Sequence, residues 1–131
     1  MSVIRIAVAL MRNEEGHVLL VRKRGTSAFM QPGGKIEEGE EAACALAREL
    51  AEELELNVRP SELYHRGKAV APAANEPGFV VEAEVFECGF QGPIYVQAEL
   101  AEAIWFDPLL HAHVELAPLT RDHILPLATQ A

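Results

Sequence analysis

Three glutamates, Glu49, Glu52 and Glu53, have the spacing in this chain that most clearly predicts chemistry. They stand at positions i, i+3 and i+4 of a segment with helical periodicity, so a helix places them on one face. Like charges on one face repel one another, and a hard cation with a preference for oxygen, Mg²⁺ or Mn²⁺, turns that repulsion into coordination. The alternative is a solvated helix face, which is the usual fate of a charge run.

The residues around these glutamates form a longer pattern that favours the metal site. Gly34 is followed after five residues by Glu40, and after seven more by Arg48 and Glu49. The series is completed by Leu50, Glu52, Glu53 and Leu56. The pattern resembles the signature of the Nudix hydrolases, Gly-x5-Glu-x7-Arg-Glu-U-x-Glu-Glu-x-Gly-U, where U is aliphatic. One specified position departs from it, because Glu55 stands where the family usually has glycine.

The resemblance implies both a fold and a reaction. The fold is α/β, namely the Nudix fold, an α/β/α sandwich around a mixed β-sheet. The reaction is Mg²⁺-dependent hydrolysis of a diphosphate linkage in a nucleotide, with Mn²⁺ as a substitute metal. Bound metal polarises a phosphoryl oxygen and lowers the pKa of a coordinated water, and a carboxylate takes the proton of the attacking water.

The resemblance also assigns roles to individual residues. The implied metal ligands are Glu49, Glu52, Glu53 and the carbonyl of Gly33. Arg48 would orient a carboxylate, with Gly34 and Glu40 in support, as partners of metal ligands do. The general base is Glu53 or a glutamate from a later loop. Glu99 and Glu102 are the loop candidates, Glu102 being preferred, although a solvated loop charge explains both equally well.

The substrate-binding residues are less clearly indicated. Arg22, Lys23 and Arg24 form a basic cluster suited to phosphate, or else a solvated strand end. Strand alternation sends Arg22 and Arg24 to one side and Lys23 to the other, and we expect Arg22 and Arg24 to bind the substrate. Further candidates are Lys35 after the glycines, Phe29 for stacking on a base, and Asn75 for reading a base edge. The structural alternatives are a core aromatic for Phe29 and a turn-forming residue for Asn75.

The chain is small and consists of little beyond the core that the resemblance implies, which favours hydrolysis of a (d)NTP to NMP and pyrophosphate. Pro72, sixteen residues after Leu56, resembles the proline of ADP-ribose pyrophosphatases, so hydrolysis of ADP-ribose or another nucleoside diphosphate derivative is the second hypothesis. A third is a catalytically silent nucleotide-binding module. Such modules typically lose a signature carboxylate, whereas this chain keeps all of them.

Several elements must position these residues. Apolar residues at helical spacing predict a helix that starts near Glu40, with Glu40 and Glu41 in its first turn. At the Glu55 departure we expect either one more helical residue or termination at Asn57. Segments 3–11 and 18–21 predict a β-hairpin, and 30–34 a turn. Further strands are predicted at 79–85, 94–96 and 104–106, segment 58–70 is ambiguous, and 121–129 predicts a short helix interrupted at Pro126.

Length and charge set the remaining expectations. A chain of 131 residues is one domain of common size, 1–131. A net charge of −9 argues against nucleic-acid or anionic-membrane partners. We find no apolar run of transmembrane length and no signal peptide. Cys44 and Cys88 are expected to be reduced in a cytoplasmic protein. The resemblance leaves a homodimer open.

Overall fold

The computed structural model describes residues 2–90, 92–110 and 113–129. Its strands are β1 (Ser2–Arg12), β2 (Val18–Lys23), β3 (Gly33–Lys35), β4 (Tyr64–Pro72), β5 (Phe79–Gly89) and β6 (Leu100–Phe106). Its helical segments are α1 (Ala42–Leu54), a 3₁₀ turn (Pro60–Glu62), a π-helical turn (Thr120–Ile124) and α2 (Leu125–Ala128). No helix in the described part of the chain is long and apolar enough to cross a membrane.

The strands form one mixed sheet in the order β4-β5-β1-β2-β6, with β3 paired to β1. β1 runs parallel to β5 along its whole length, from Ser2 opposite Phe79 to Arg12 opposite Gly89. The other pairings are antiparallel. β2 and β3 share one edge of β1, where β2 pairs near Arg12 and β3 pairs with the middle of the strand. The hairpin predicted for 3–11 and 18–21 is therefore confirmed.

Alternation along β1 divides the core into two layers. Ala7, Ala9 and Met11 pack on the side of α1, whereas Val8 and Leu10 pack on the opposite side. Helix α1 contributes its apolar stripe to the first layer, with Leu46, Leu50 and Leu54 fully buried. The C-terminal helical segment contributes Leu119, Ile124 and Ala128 to the second. A sheet covered by helices on both faces is the predicted α/β/α sandwich.

Some element boundaries differ from those predicted. Helix α1 begins at Ala42 with Glu41 as its N-cap, so neither Glu40 nor Glu41 lies in the first turn. Gly33 and Gly34 belong to strand β3 and not to a turn, because β1 pairs with them. β6 begins at Leu100, so Glu102 lies on the strand. The ambiguous segment resolves into the 3₁₀ turn and β4.

Segment 94–96 is not a strand, although its sequence alternates. Ile94 and Val96 are half-buried and pack against the α1-side core, so the apolar alternation reflects packing of an irregular segment. Alternation predicts which side chains are buried, but a strand also needs a neighbouring strand for its backbone.

Helix α1 ends at Glu55 in a way that the sequence did not predict. Glu55 itself adopts the left-handed conformation, with φ 55° and ψ 32°. Its N–H donates to the Ala51 carbonyl at 3.2 Å, and the Leu56 N–H donates to the Leu50 carbonyl at 3.1 Å. These are the bonds of a helix C-cap that usually contains glycine. Both expected alternatives, a longer helix and termination at Asn57, were wrong.

The C-terminal helical segment accommodates Pro126 without interruption. Proline lacks an N–H, and its ring clashes with the carbonyl four residues earlier in a regular α-helix. Here the turn before it is π-helical, and the Leu125 N–H donates to the Thr120 carbonyl five residues back. The wider turn lets the chain continue through the proline into α2. Arg12 Nη1 donates to the Ala128 carbonyl at 2.8 Å and ties this end to the sheet.

Candidate active site

Helix α1 presents the three glutamates at different depths. Glu53 is buried, Glu49 is half-buried and Glu52 is exposed. Burial, followed by the negative charge of Glu49, raises the pKa of Glu53 to about 7, and Lys23 opposes this effect. Burial also raises the pKa of Glu49, against the opposing effect of Arg48. Two neighbouring carboxylates are thus held where their ionised forms are disfavoured.

Arg48 connects the helix to the loop that precedes it. Its Nε and Nη2 donate to the two carboxylate oxygens of Glu40 at 3.0 and 2.9 Å. Its Nη1 donates to Glu49 Oε1 at 2.9 Å, and Nη2 also reaches the Lys35 carbonyl at 3.2 Å. These bonds hold the pKa of Glu40 at about 2 and raise the pKa of Arg48. The chain Glu40–Arg48–Glu49 therefore fixes the orientation of the Glu49 carboxylate.

The two glycines of β3 permit a close approach of backbone and carboxylate. A Cβ at Gly34 would lie 2.5 Å from Glu49 Cδ, so any side chain there would displace the glutamate. Gly33 has φ 148°, and a Cβ there would overlap the carbonyl oxygen of Ala7 in β1. Glycine is thus required twice, once for the carboxylate and once for the sheet.

The chemistry of the donor set fits a hard divalent cation. Glu49 and Glu53 supply carboxylate oxygens that are partly or largely removed from water and repel each other. Within residues 2–90, 92–110 and 113–129, no three acidic, histidine or cysteine side chains converge on a common point. The negative charge of the exposed Glu52 nevertheless contributes to the raised pKa of both Glu49 and Glu53.

The structure separates the two candidate glutamates near β6. Glu102, the preferred one, accepts a bond from Arg22 Nε at 2.8 Å, and Arg22 Nη1 donates to the Thr26 carbonyl at 2.7 Å. The predicted catalytic Glu102 and the predicted phosphate ligand Arg22 thus pair with each other. The charge of Glu99 instead contributes to the raised pKa of Glu53. The Gln97 N–H also donates to the Glu53 carbonyl at 2.8 Å, which brings this loop to the end of α1.

A cavity of about 150 Å³ opens beside the carboxylate cluster. Gly33, Gly34, Lys35 and Asn75 line it, as does Lys23, which the sequence prediction did not choose. Alternation correctly separated Lys23 from its neighbours, but the sequence does not tell which side of β2 faces the glutamates. The lysine acts on both Glu49 and Glu53 through its charge.

Like Arg22, two further predicted substrate residues are not part of this cavity lining. Arg24 is exposed, is not part of the cavity lining, and its backbone N–H donates to the Glu99 carbonyl at 2.8 Å. Phe29 is 7% exposed and packs in the core on the α2 side, so it is a core aromatic and does not stack on a ligand in the cavity. The Phe29 backbone bridges to Leu116, which packs against the same core.

Sequence reasoning also missed a polar pair in the cavity wall. Thr120 Oγ1 donates to Gln31 Oε1 at 3.0 Å, and both residues line the cavity. The two are 89 positions apart in the chain, so no local signal connects them.

Comparison with known proteins agrees with this geometry. The family model described as NUDIX domain matches residues 2–127. The 8-oxo-dGTP diphosphatase of Haemophilus influenzae is 38% identical over 69 residues, which are 50% of this chain and 51% of that protein. The chain therefore matches only about half the length of this curated relative.

Solved structures resemble the whole fold. The MutT protein of Methanosarcina mazei Go1 superposes with a TM-score of 0.78 at 22% identity, covering 97% of this chain and 93% of the other. The E. coli dihydroneopterin triphosphate pyrophosphohydrolase gives 0.79 at 18% identity and covers both chains completely, 100% and 100%. With the family model matching nearly the full length, this chain belongs to the NUDIX domain family.

Proposed function

We propose that this protein is a divalent-metal-dependent pyrophosphohydrolase that converts a nucleoside triphosphate to the monophosphate and pyrophosphate. The observation that carries the proposal is one arrangement: the mutually repelling carboxylates of Glu53, which is buried, and Glu49, which is half-buried, adjoin a cavity lined by Lys23 and Lys35. Carboxylates suit the cation, and the lysines suit the phosphates. The matched 8-oxo-dGTP diphosphatase supports a triphosphate substrate, including an oxidised one.

Glu49 and Glu53 would hold the cation, with the exposed Glu52 and the Gly33 carbonyl as further ligands. We propose Mg²⁺, with Mn²⁺ as a substitute, and when bound it would polarise a phosphoryl oxygen and lower the pKa of a water. Arg48 keeps Glu49 in place through its bond at 2.9 Å. Lys23 neutralises phosphate charge next to the glutamates.

The chain supplies a base for the attacking water. Oxygen of the water forms the new bond to phosphorus, the bridging P–O bond breaks, and pyrophosphate leaves with that electron pair. The water proton passes to a carboxylate, for which Glu53 is the first candidate; in the metal-free protein its pKa is about 7, and the cation would lower it when bound. Glu99 is the second candidate, and it replaces Glu102, which is paired with Arg22.

The other functions considered receive less support. Pro72, the residue that suggested ADP-ribose hydrolysis, is exposed at the end of β4 and is not part of the cavity lining. A silent module is disfavoured because the Arg48 network that orients Glu49 is complete. We further propose that the chain, 1–131, acts as one domain on a small nucleotide in the cytoplasm, without nucleic-acid or membrane partners, and that a homodimer is compatible with this role.

The test is pyrophosphate release from canonical and 8-oxo dNTPs, ADP-ribose and dinucleoside polyphosphates, with Mg²⁺ and with EDTA. We expect Mg²⁺-dependent pyrophosphate release from a triphosphate, and its loss in Glu53→Gln. Glu62→Gln, an exposed glutamate of the 3₁₀ turn, is the control that keeps wild-type turnover. AMP formed from ADP-ribose alone would replace the proposal by the second hypothesis. Unchanged turnover in Glu53→Gln would remove Glu53 from the mechanism.

A further inference from the structure

The buried wall of the cavity contains one amide group with an unused donor. Gln31 is 4% exposed and Thr120 is fully buried, at 0%. Gln31 Nε2 has no hydrogen-bond partner within the described part of the chain. Among the other lining residues with polar side chains, Lys35, Asn75 and Glu76 are exposed and Lys23 is half-buried. The cavity thus has a charged, open side and a buried side with a single polar pair.

Thr120 determines which end of the amide remains available. Its hydroxyl donates to Gln31 Oε1 at 3.0 Å, so the amide oxygen is engaged and the amide nitrogen is left as a donor. A buried donor without a partner destabilises a protein, and native structures pair nearly all such groups with protein, water or a ligand. A ligand that places an acceptor atom against Nε2 would satisfy it.

The remaining lining indicates what part of a ligand reaches this donor. The cavity walls are otherwise mostly apolar, including Ile6 and Val8 of β1, Val81 of β5 and Leu119 before the π-helical turn. Apolar walls suit a flat ring and not phosphate groups. Phosphates fit the side with Lys23, Lys35 and the carboxylates, which leaves the ring for the side with Gln31 and Thr120.

We propose that Gln31, oriented by Thr120, makes this site selective for nucleotides whose base places a carbonyl oxygen against Gln31 Nε2 over those that place an amino group at the same point. Among purines this means 6-oxopurines, such as guanine and its oxidised forms, over adenine. The inference rests on the proposed function for its substrate class. A site built to hydrogen-bond one group rejects a base that lacks it, because the buried polar group is then left unpaired.

The test compares dGTP with dATP as substrates, and dGMP with dAMP as ligands by calorimetry, for the wild type and Gln31 variants. We expect the wild type to favour the guanine nucleotide by about tenfold or more in both kcat/KM and Kd. Gln31→Glu has only acceptor oxygens, so the guanine-to-adenine ratio should fall at least tenfold, with adenine gaining in absolute terms. Gln31→Met should bring the ratio close to one.

Thr120 provides a matched pair of variants. Thr120→Val removes the hydroxyl that fixes the amide and should lower the ratio, whereas Thr120→Ser keeps the hydroxyl and should preserve it. Thermal unfolding identifies any variant that fails to fold. The guanine-to-adenine ratios of the variants that do fold then decide whether Gln31 selects the base. If the two residues had only a structural role, kcat/KM and Kd would change by the same factor for the guanine and the adenine nucleotide. A guanine-to-adenine ratio that stays constant across these variants would therefore overturn the inference.

Binding separates this inference from the proposed function. If the wild type hydrolyses triphosphates without preferring guanine, the selectivity assigned to Gln31 is wrong and the proposed function stands. If no nucleotide is hydrolysed, the proposed function fails. The relative affinities for dGMP and dAMP then still decide whether Gln31 selects the base, since they need no turnover.

Discussion

Arg48 determines the geometry of the acidic cluster at the scale of single residues. One guanidinium binds both oxygens of Glu40 and one oxygen of Glu49, and it also reaches a backbone carbonyl. Only arginine has the planar fork of donors that can make these bonds together. Lysine in its place would keep the charge but could not hold both carboxylates in fixed orientations.

We therefore predict that Arg48→Lys lowers the affinity for the activating metal by about 10–100-fold, as loss of a partner of a metal ligand typically does. Titration of pyrophosphate release with Mg²⁺ measures this affinity. Arg59→Lys is the control, because Arg59 is largely exposed and forms a surface ion pair, with its Nε 3.5 Å from Glu62 Oε1. A metal dependence of Arg48→Lys equal to that of the wild type would show that Arg48 does not orient the ligands.

Glu53 makes the stability of the metal-free protein depend on pH. Its pKa is raised by folding from 4.5 to about 7, so the folded protein binds this proton more tightly than the unfolded chain does. The contribution of Glu53 to the free energy of unfolding should then be highest below pH 4.5 and fall as the pH rises toward 7. Glu53→Gln, which mimics the protonated form, removes the effect and should be more stable than the wild type at pH 8 by up to roughly 3 kcal/mol.

Urea unfolding in EDTA at pH 5 and pH 8 measures this difference. At pH 5, where Glu53 is largely protonated in the folded protein, the two proteins should differ by no more than about 1 kcal/mol. Addition of Mg²⁺ at pH 8 should stabilise the wild type and affect Glu53→Gln less. A constant stability difference at both pH values would mean that burial of the Glu53 charge is not the cause.

The sequence predicted the acidic residues of the site better than its basic and polar ones. Helical spacing places Glu49, Glu52 and Glu53 on one face whatever the rest of the fold does. By contrast, the choice between Lys23 and Arg22 depends on which face of β2 meets α1. The pairing of Gln31 with Thr120 depends on the docking of the C-terminal segment, which no local pattern encodes.

At the scale of elements, the end of helix α1 contains a local strain. Glu55 occupies a left-handed conformation, in which its Cβ crowds the backbone, at a cost of about 1–2 kcal/mol relative to glycine. A negative side chain at the negative end of the helix dipole adds a smaller unfavourable effect. The capping bonds to Ala51 and Leu50 keep this conformation despite its cost.

We predict that Glu55→Gly raises the free energy of unfolding by about 1 kcal/mol, after allowance for the greater freedom of glycine in the unfolded chain. Urea denaturation measures it. Glu55→Ala removes the charge but keeps the Cβ, so it should gain only a few tenths of a kcal/mol. Equal gains in both variants would assign the effect to charge and not to backbone conformation.

The elements were predictable where one local pattern sufficed. Helix α1, the β1–β2 hairpin and β5 follow from their own periodicity and turn residues. The sequence could not predict β3, because a glycine pair forms a strand only when β1 offers its edge. Similarly, the left-handed conformation of Glu55 results from the hydrogen bonds to the preceding turn. It was not predictable from the residue type, because glutamate disfavours that conformation.

At the scale of the whole molecule, one sheet separates two apolar cores. Leu50 of α1 lies in one core and Ile124 of the C-terminal segment in the other, and both are fully buried. In the apolar part of β1, residues that pack in one core alternate along the chain with residues that pack in the other. The two layers are therefore expected to unfold together.

Leu50→Ala and Ile124→Ala should each lower the free energy of unfolding by about 2–5 kcal/mol. Trp105, the single tryptophan, packs on the α1 side and reports on that core by fluorescence. The urea unfolding transition followed by this fluorescence should coincide with the one followed by far-UV circular dichroism in both variants. The dependence of the unfolding free energy on urea concentration should be the same as in the wild type. If Ile124→Ala separates the two transitions, the C-terminal layer unfolds independently.

The parallel pairing of β1 with β5 has a consequence for how the chain reaches this fold. Ser2 must find Phe79 and Arg12 must find Gly89, so the central pairing of the sheet closes a loop of most of the chain. Loop closure over such distances carries an entropic cost before any contact compensates it, which makes folding slow. During synthesis, β1 emerges before β5 and stays without its parallel partner until β5 has left the ribosome. The apolar middle of β1, residues 7–11, therefore needs protection from aggregation until then in a cell making this protein.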